Sequence, residues 1–413
     1  MNTDRIAFVA LWFFVFSMPW ERSVSIPGLG AAGTLFGIIA FGFGVFAVIR
    51  GGTIRAKVPS LFLLVFALFV LWMGASFFWS INEEGATTRF ETYLQFLIMA
   101  WLVWELCRTE KRRLGLLQAY LLGAYIVMGI IIYQFIANPF VPNEEASMHR
   151  YTGVDDNANS VATFIAIGIA MAWYLAMNFK RGLKHWLFLA YLPASVMALG
   201  LIASRGGMII AIVCLCLIPL TYGYLSITRR VIFTILIGSV SVFAISNIPE
   251  DNLARLSEAT EEITEGDVSN RTQIWEAGLQ AYQDSPVVGL GAGSYGTAVE
   301  RIRGFGAPAH SAYFSTLVEL GVIGLALFLI MMTVPVLPLL QLPFRDCAFY
   351  MVLWVAILVA FMPTDWHTFK VPWFLLSLFT THRAYVVLPS SVNLTRRRKR
   401  PVRVQGQPQL EAQ

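Results

Sequence analysis

Three residues of this chain bring positive charge or a titratable ring to the start of a helical segment. Arg205 opens "RGGMIIAIV", Arg271 opens the amphipathic stretch "RTQIWEAGLQAYQ", and His310 precedes the apolar run "SAYFSTLVELGVIGLALFL". A helix start is already electropositive, with unsatisfied N–H groups that favour an anion. Adding basic side chains there makes sense where an anion completes the site, most naturally a phosphate gripped by N–H groups and guanidinium forks. Two arginines and one histidine, without a metal-ligand cluster, suit a substrate whose leaving group is a diphosphate on a lipid. The arginines would neutralise charge that develops as the diphosphate's bond to a sugar breaks. The helix dipole would depress the histidine's pKa, leaving a neutral imidazole able to take a proton from an acceptor hydroxyl. No metal and no cofactor is expected.

Each residue also has an ordinary reading. Arg205 would snorkel to headgroups, Arg271 would pair with a nearby acid on a solvated face, and His310 would cap a helix without moving a proton. Arg89, after "EEGATT", Asn157 and Asn159, in "DDNANS", and Asp365 and His367, in "PTDWHTF", are weaker candidates, Arg89 and Asn159 for substrate binding; ordinary loop polarity is the alternative for each. Glu319, nine residues after His310, falls roughly on the opposite face of the helix. A carboxylate is costly in lipid, so it should face the bundle interior.

The elements that must position these residues are membrane helices. The chain has 413 residues, 57% hydrophobic and 13% charged, against about 25% charged in a soluble domain. About twelve spans fit the apolar runs: 7–20, 30–49, 59–79, 92–107, 115–137, 160–178, 186–203, 207–226, 231–247, 312–333, 347–363 and 371–388. The first lacks a cleavage site and reads as a retained anchor. An all-α polytopic membrane protein is the expected fold.

Basic residues set the sidedness. Arg50, Arg55 and Lys57, then Arg108 to Arg113, Lys180 to Lys184, Arg229 and Arg230, Arg345 and the tail "TRRRKRPVR" occupy alternating connections. Those connections read as cytoplasmic, which places both termini inside and Arg205, Arg271 and His310 outside, against the positive-inside bias. The net charge of +5 describes this sidedness and membrane-lipid contact, and gives no reason to expect nucleic acid. The four cysteines have no metal or disulfide spacing and read as inert core residues.

The chain divides into nine spans over residues 1–247, a long outer loop with short helices at 248–311, three spans over 312–388, and a disordered basic cytoplasmic tail at 389–413. Within the loop, Asn270 caps a helix that Asp284-Ser285-Pro286 ends, with Gln273 close to a capping box. The run "VVGLGAGSYG" then lets backbone approach a ligand or another segment closely. No internal repeat is visible, which speaks against a secondary transporter of lipid-linked sugars.

Four stretches carry a family resemblance: "DDNANSVATFIAIGIAMA", "SRGGMIIAIV", "NRTQIWEAGLQAYQDSPVVGLGAGSYG" and "HSAYFSTLVELGVIGLALFL". Arg before Gly-Gly, Arg-x-x-x-Trp, Pro-x-x-Gly-x-Gly-x-Gly, and His followed by Leu-x-Glu-x-Gly resemble the O-antigen ligase and polymerase superfamily over about residues 155–330. The resemblance implies a GT-C-like, metal-independent glycosyltransferase of the bacterial inner membrane, with its active site on the periplasmic face. It implies transfer of a glycan from undecaprenyl diphosphate to the lipid A core. The family's two diphosphate-associated arginines fall on Arg205 and Arg271, and its essential histidine on His310. The compact chain favours a ligase, with a polymerase joining lipid-linked repeat units as the alternative.

Overall fold

Ser60, Asn82, Asn157 and Ser204 each start a helix in the same way. Their side-chain oxygens accept from backbone N–H groups two or three residues on: Leu63 at 3.3 Å, Gly85 at 2.9 Å, Asn159 and Ser160 at 3.1 and 3.3 Å, and Gly207 at 3.2 Å. Such caps satisfy donors that the first turn leaves unpaired. The computed structural model describes residues 3–21, 24–26, 30–51, 60–137, 151–152, 157–179, 182–228 and 271–382, with scattered positions between 230 and 246. The helices are α1 (Thr3–Ser17), α2 (Ala32–Gly51), α3 (Leu61–Ala75), α4 (Glu83–Leu106), α5 (Glu110–Ala137), α6 (Ala158–Asn178) and α7 (Leu183–Ile202). They continue as α8 (Arg205–Leu215), α9 (Leu217–Thr221), α10 (Arg271–Tyr282), α11 (Tyr295–Arg303), α12 (Ala312–Thr333), α13 (Phe344–Ala360) and α14 (Lys370–Thr380). One antiparallel pair of two-residue strands, Ser25–Ile26 with Gly30–Ala31, leads into α2.

Among the described residues, seven segments are long and apolar enough to cross a bilayer: Ala32–Arg50, Leu61–Trp79, Glu110–Ala137, Ala158–Asn178, Leu183–Ile202, Arg205–Tyr224 and Ala312–Gln341. This is a multi-pass membrane protein. Helices α1, α4, α13 and α14 also form where spans are expected, but three are short, with 15, 17 and 11 residues in α1, α13 and α14. α4 carries Glu83, Glu84, Arg89 and Glu91 in its first turns. The expected span 231–247 is described only at scattered positions. Residues 389–413, Asn270 and most of the connections 138–159 and 248–270 lie outside the described residues. Gln273, expected to complete a capping box, accepts from Arg303 Nη2 at 2.7 Å.

Helix α6 is the centre of the bundle. Every side chain from Ala158 to Met177 except Asn159 is buried, which suits a helix that is apolar on all sides. Lipid offers helices no hydrophobic drive to associate, so close packing and interhelical hydrogen bonds hold the bundle. Gly207 of α8 lies so close to α6 that an added Cβ would sit 2.3 Å from the Ala162 methyl. Tyr120 and Tyr191 donate to the Phe164 and Ile165 carbonyls of α6, each at 2.9 Å, and Trp173 donates to Thr221 at 2.7 Å. The cysteines depart in part from expectation. Cys107 and Cys214 are buried, but Cys216, between α8 and α9, is exposed and Cys347 half-buried.

α12 is broken at Gly321, where φ is +68° and ψ −170°. The break leaves carbonyls without the N–H partners four residues on, and the glycine run supplies new ones. Leu290 N–H donates to Val318 O at 3.0 Å and Gly291 N–H to Glu319 O at 2.8 Å, while Trp72 Nε1 donates to Leu320 O at 3.1 Å. In return Val322 and Ile323 donate to the Pro286 and Val287 carbonyls at 3.1 and 3.3 Å. A Cβ on Gly321 would lie 2.2 Å from Val287 O, and one on Gly289 would lie 2.4 Å from Glu319 O. At Gly289, Gly291 and Gly293 the fold uses the glycine run for close approach to another segment.

Candidate functional site

The chain entering α12 is pinned from three directions. Trp275 of α10 donates its Nε1–H to Ala309 O at 2.8 Å and stacks on Phe314 with ring centroids 4.7 Å apart. Ala312 N–H donates to Phe361 O at 2.9 Å, and His310 N–H donates to Asp365 Oδ2 at 3.1 Å. Between these contacts His310 takes a left-handed conformation, φ +48°, which costs a non-glycine residue about 1–2 kcal/mol. Three partners hold it there, Trp275 of α10 and Phe361 and Asp365 of the connection after α13. His310 therefore stands two residues ahead of α12 rather than on its first turn, and the anion at that helix start is the Asp365 carboxylate.

The His310 ring lies beside the same carboxylate, Nδ1 to Oδ2 3.5 Å, with the side chain still 43% exposed. Burial pulls the imidazole below its ordinary value, Asp365 opposes this, and the Arg271 charge adds to it. The direction is the expected one, and its cause is burial first, with the Arg271 charge adding to it. Asp365 is pushed up by burial, against the His310 and Arg89 charges. Both shifts favour neutral forms, and their direct interaction works against both. The ring can thus be uncharged near neutrality while a carboxylate waits for the imidazolium.

Arg271 is the first residue of α10, and its charge is felt by both His310 and Asp365. Burial lowers its value and Asp365 raises it. Arg205 is the first residue of α8, fixed by the Ser204 cap. The next residue, Gly206, faces Pro363, with a Cβ position 3.6 Å from the proline ring. The Arg205 helix start and the His310–Asp365 pair thus share the connection between α13 and α14. Asn159 reaches this region indirectly, accepting from Ser204 Oγ at 2.7 Å. Asn157 caps α6, and the buried His367 gives its carbonyl to Tyr93 and Trp373 at 3.2 and 2.8 Å, so both are built into the scaffold.

Arg89 lies near the start of α4, its Nη2 3.7 Å from Glu319 Oε1. Glu319 is 4% exposed and accepts from Gly293 N–H at 2.9 Å and Ser315 Oγ at 3.1 Å. One buried carboxylate thus ties α4, α12 and the glycine run together, facing inward as a charge in lipid should. Between these groups is a cavity of about 280 Å3 lined by Arg89, Glu319, Asp365, Ser315, Tyr295 and the backbone of 293, 296 and 306–309.

Spacing along the chain misses Asp365, which reaches His310 across 55 residues because α13 folds back along the bundle. Its only signal is position, an acid in the connection between two apolar segments. The matched family model is described as O-antigen ligase and spans residues 191–329, which include Arg205, Arg271, His310 and Glu319. No curated protein matches the chain.

Proposed function

We propose, from the O-antigen ligase family domain that this chain carries over residues 191–329, that the protein is a membrane glycosyltransferase moving O-antigen polysaccharide from undecaprenyl diphosphate to a hydroxyl of the lipid A core. The observation that carries the reading is the His310 ring, backed by Asp365 and sharing its surroundings with the Arg271 charge. His310 Nε2 takes the proton of the acceptor hydroxyl as that oxygen bonds to the anomeric carbon. The bond from that carbon to the diphosphate breaks, and the diphosphate leaves on its lipid with the electron pair. Asp365 stabilises the imidazolium through Nδ1, and Arg205 and Arg271 neutralise the leaving group as its charge grows. Arg89 and Asn159 are placed to serve the substrate site, Asn159 through the α8 cap.

In this reading the enzyme sits in the inner membrane with both termini in the cytoplasm, and its site opens to the periplasm. The lipopolysaccharide profile of a deletion strain tests the assignment. Loss of a ligase leaves bare core while polymer accumulates on its lipid carrier. Core bearing a single repeat unit would point to the polymerase instead, and an unchanged profile would sink both.

A further inference from the structure

The cavity beside the reactive histidine has no part in the transfer as described so far. Its walls include Ala309, which precedes His310 in the chain, and Asp365, which touches the ring. Anything seated in it would therefore lie next to the base. A diphosphate does not suit it, because the described walls bring two carboxylates, Asp365 and Glu319, against one guanidinium, Arg89. A polyhydroxyl ring does suit it. Each hydroxyl is both donor and acceptor, so it can donate to a carboxylate while accepting from a guanidinium, and Tyr295 adds an aromatic wall. The volume of about 280 Å3 lies just under the range of roughly 300–1,000 Å3 found for drug-sized sites, a scale suited to one sugar ring.

Resting on the glycosyltransferase reading, we propose that this cavity is the acceptor subsite. It takes one neutral pyranose of the acceptor glycan, shares its hydroxyls among Arg89, Glu319 and Asp365, and turns the free hydroxyl toward His310. The arginine-anchored diphosphate then approaches the ring from the side of α8 and α10.

Gly296 gives the test. It lies in α11 against the cavity, and a Cβ added there meets no atom within 4 Å. Gly296→Leu therefore starts from open space at its Cβ and adds bulk at the cavity wall. The assay uses the purified full-length chain, lipid-linked glycan as donor, and rough lipopolysaccharide from a strain lacking this gene as acceptor. The leucine variant should raise the acceptor KM about tenfold or more, as expected when one or two hydrogen bonds are lost. The donor KM should stay within about twofold of wild type. Gly296→Ala should give a smaller rise in the same constant, and keeps the test available if leucine disturbs folding. An unchanged acceptor KM in both variants, or a rise in the donor KM alone, overturns the acceptor assignment. No transfer by the wild-type chain would instead remove the glycosyltransferase reading, and the subsite with it.

Discussion

At the scale of single residues, the site turns on a carboxylate that touches His310 twice, through its backbone N–H and through its ring. Asp365→Asn keeps an oxygen for the N–H but removes the charge that favours the imidazolium. Because Asp365 raises the His310 pKa, its loss should lower that pKa further. A general base works when neutral, so activity rises as pH climbs through its pKa. The acid limb of the kcat/KM profile should therefore move to lower pH in Asp365→Asn, and the plateau should fall because the imidazolium loses its partner. An acid limb that stays in place would show that Asp365 serves folding alone. His310→Ala should cost about 10²–10⁴-fold in kcat while the protein still inserts. Arg271→Lys keeps the charge but loses the planar fork, and should lower donor kcat/KM roughly 10- to 100-fold; near-normal transfer would mean that a point charge suffices. Arg205, Arg271 and His310 are legible in the sequence because basic residues in connections that charge reads as external break a strong rule. Asp365 is legible only as a weaker candidate, because an acid in such a connection breaks none.

At the scale of elements, the break in α12 shows why a glycine pattern can be seen but not interpreted from sequence. The spacing of Gly289, Gly291 and Gly293 announces close approach of backbone, and nothing in it says to what. For Gly289 the partner is the backbone at Glu319 and Gly321, in the middle of an apolar run that reads as an unbroken span, while Gly291 meets Ser80 and Gly293 meets Gly85. Glu319 is legible as an inward-facing charge, but its tie to Arg89 exists only because α4 and α12 lie side by side with the glycine run. Gly321→Ala would force a Cβ to within 2.2 Å of Val287 O at a positive φ. The conformational strain alone is on the order of 1–3 kcal/mol, and the clash adds to it, so this variant should lose both thermal stability in detergent and transfer. Gly129, in α5, meets no atom within 4 Å of its Cβ position, and Gly129→Ala should be neutral or stabilise by about 0.4–1 kcal/mol. Equal melting temperatures for the two variants would mean that the break does not depend on the glycine.

At the scale of the whole molecule, the bundle has two chemically different ends. One holds Arg112 paired with Asp4, and Arg345 bonded to Asp346 and Asn178. The other holds Arg205, Arg271, His310, Asp365 and the Arg89–Glu319 pair. Basic residues are frequent in the connections of the first end, the pattern expected if that end is the cytoplasmic face. At the second end Arg205 and Arg271 stand at helix starts, while Arg301 and Arg303 close a helix. This division follows from charge alone, whereas the number of crossings does not, since α4 and the short α13 and α14 fall short of plain apolar spans by charge or length. Labelling of single cysteines in a cysteine-free background tests the sidedness. Glu84→Cys, exposed at the start of α4, should react with a membrane-impermeant maleimide added outside intact spheroplasts. Ser226→Cys, exposed just after Arg205–Tyr224, should react only once the membrane is opened. The reverse pattern would turn the protein over and put His310 on the cytoplasmic side, and labelling of both positions from outside would break the alternation of the helices between them.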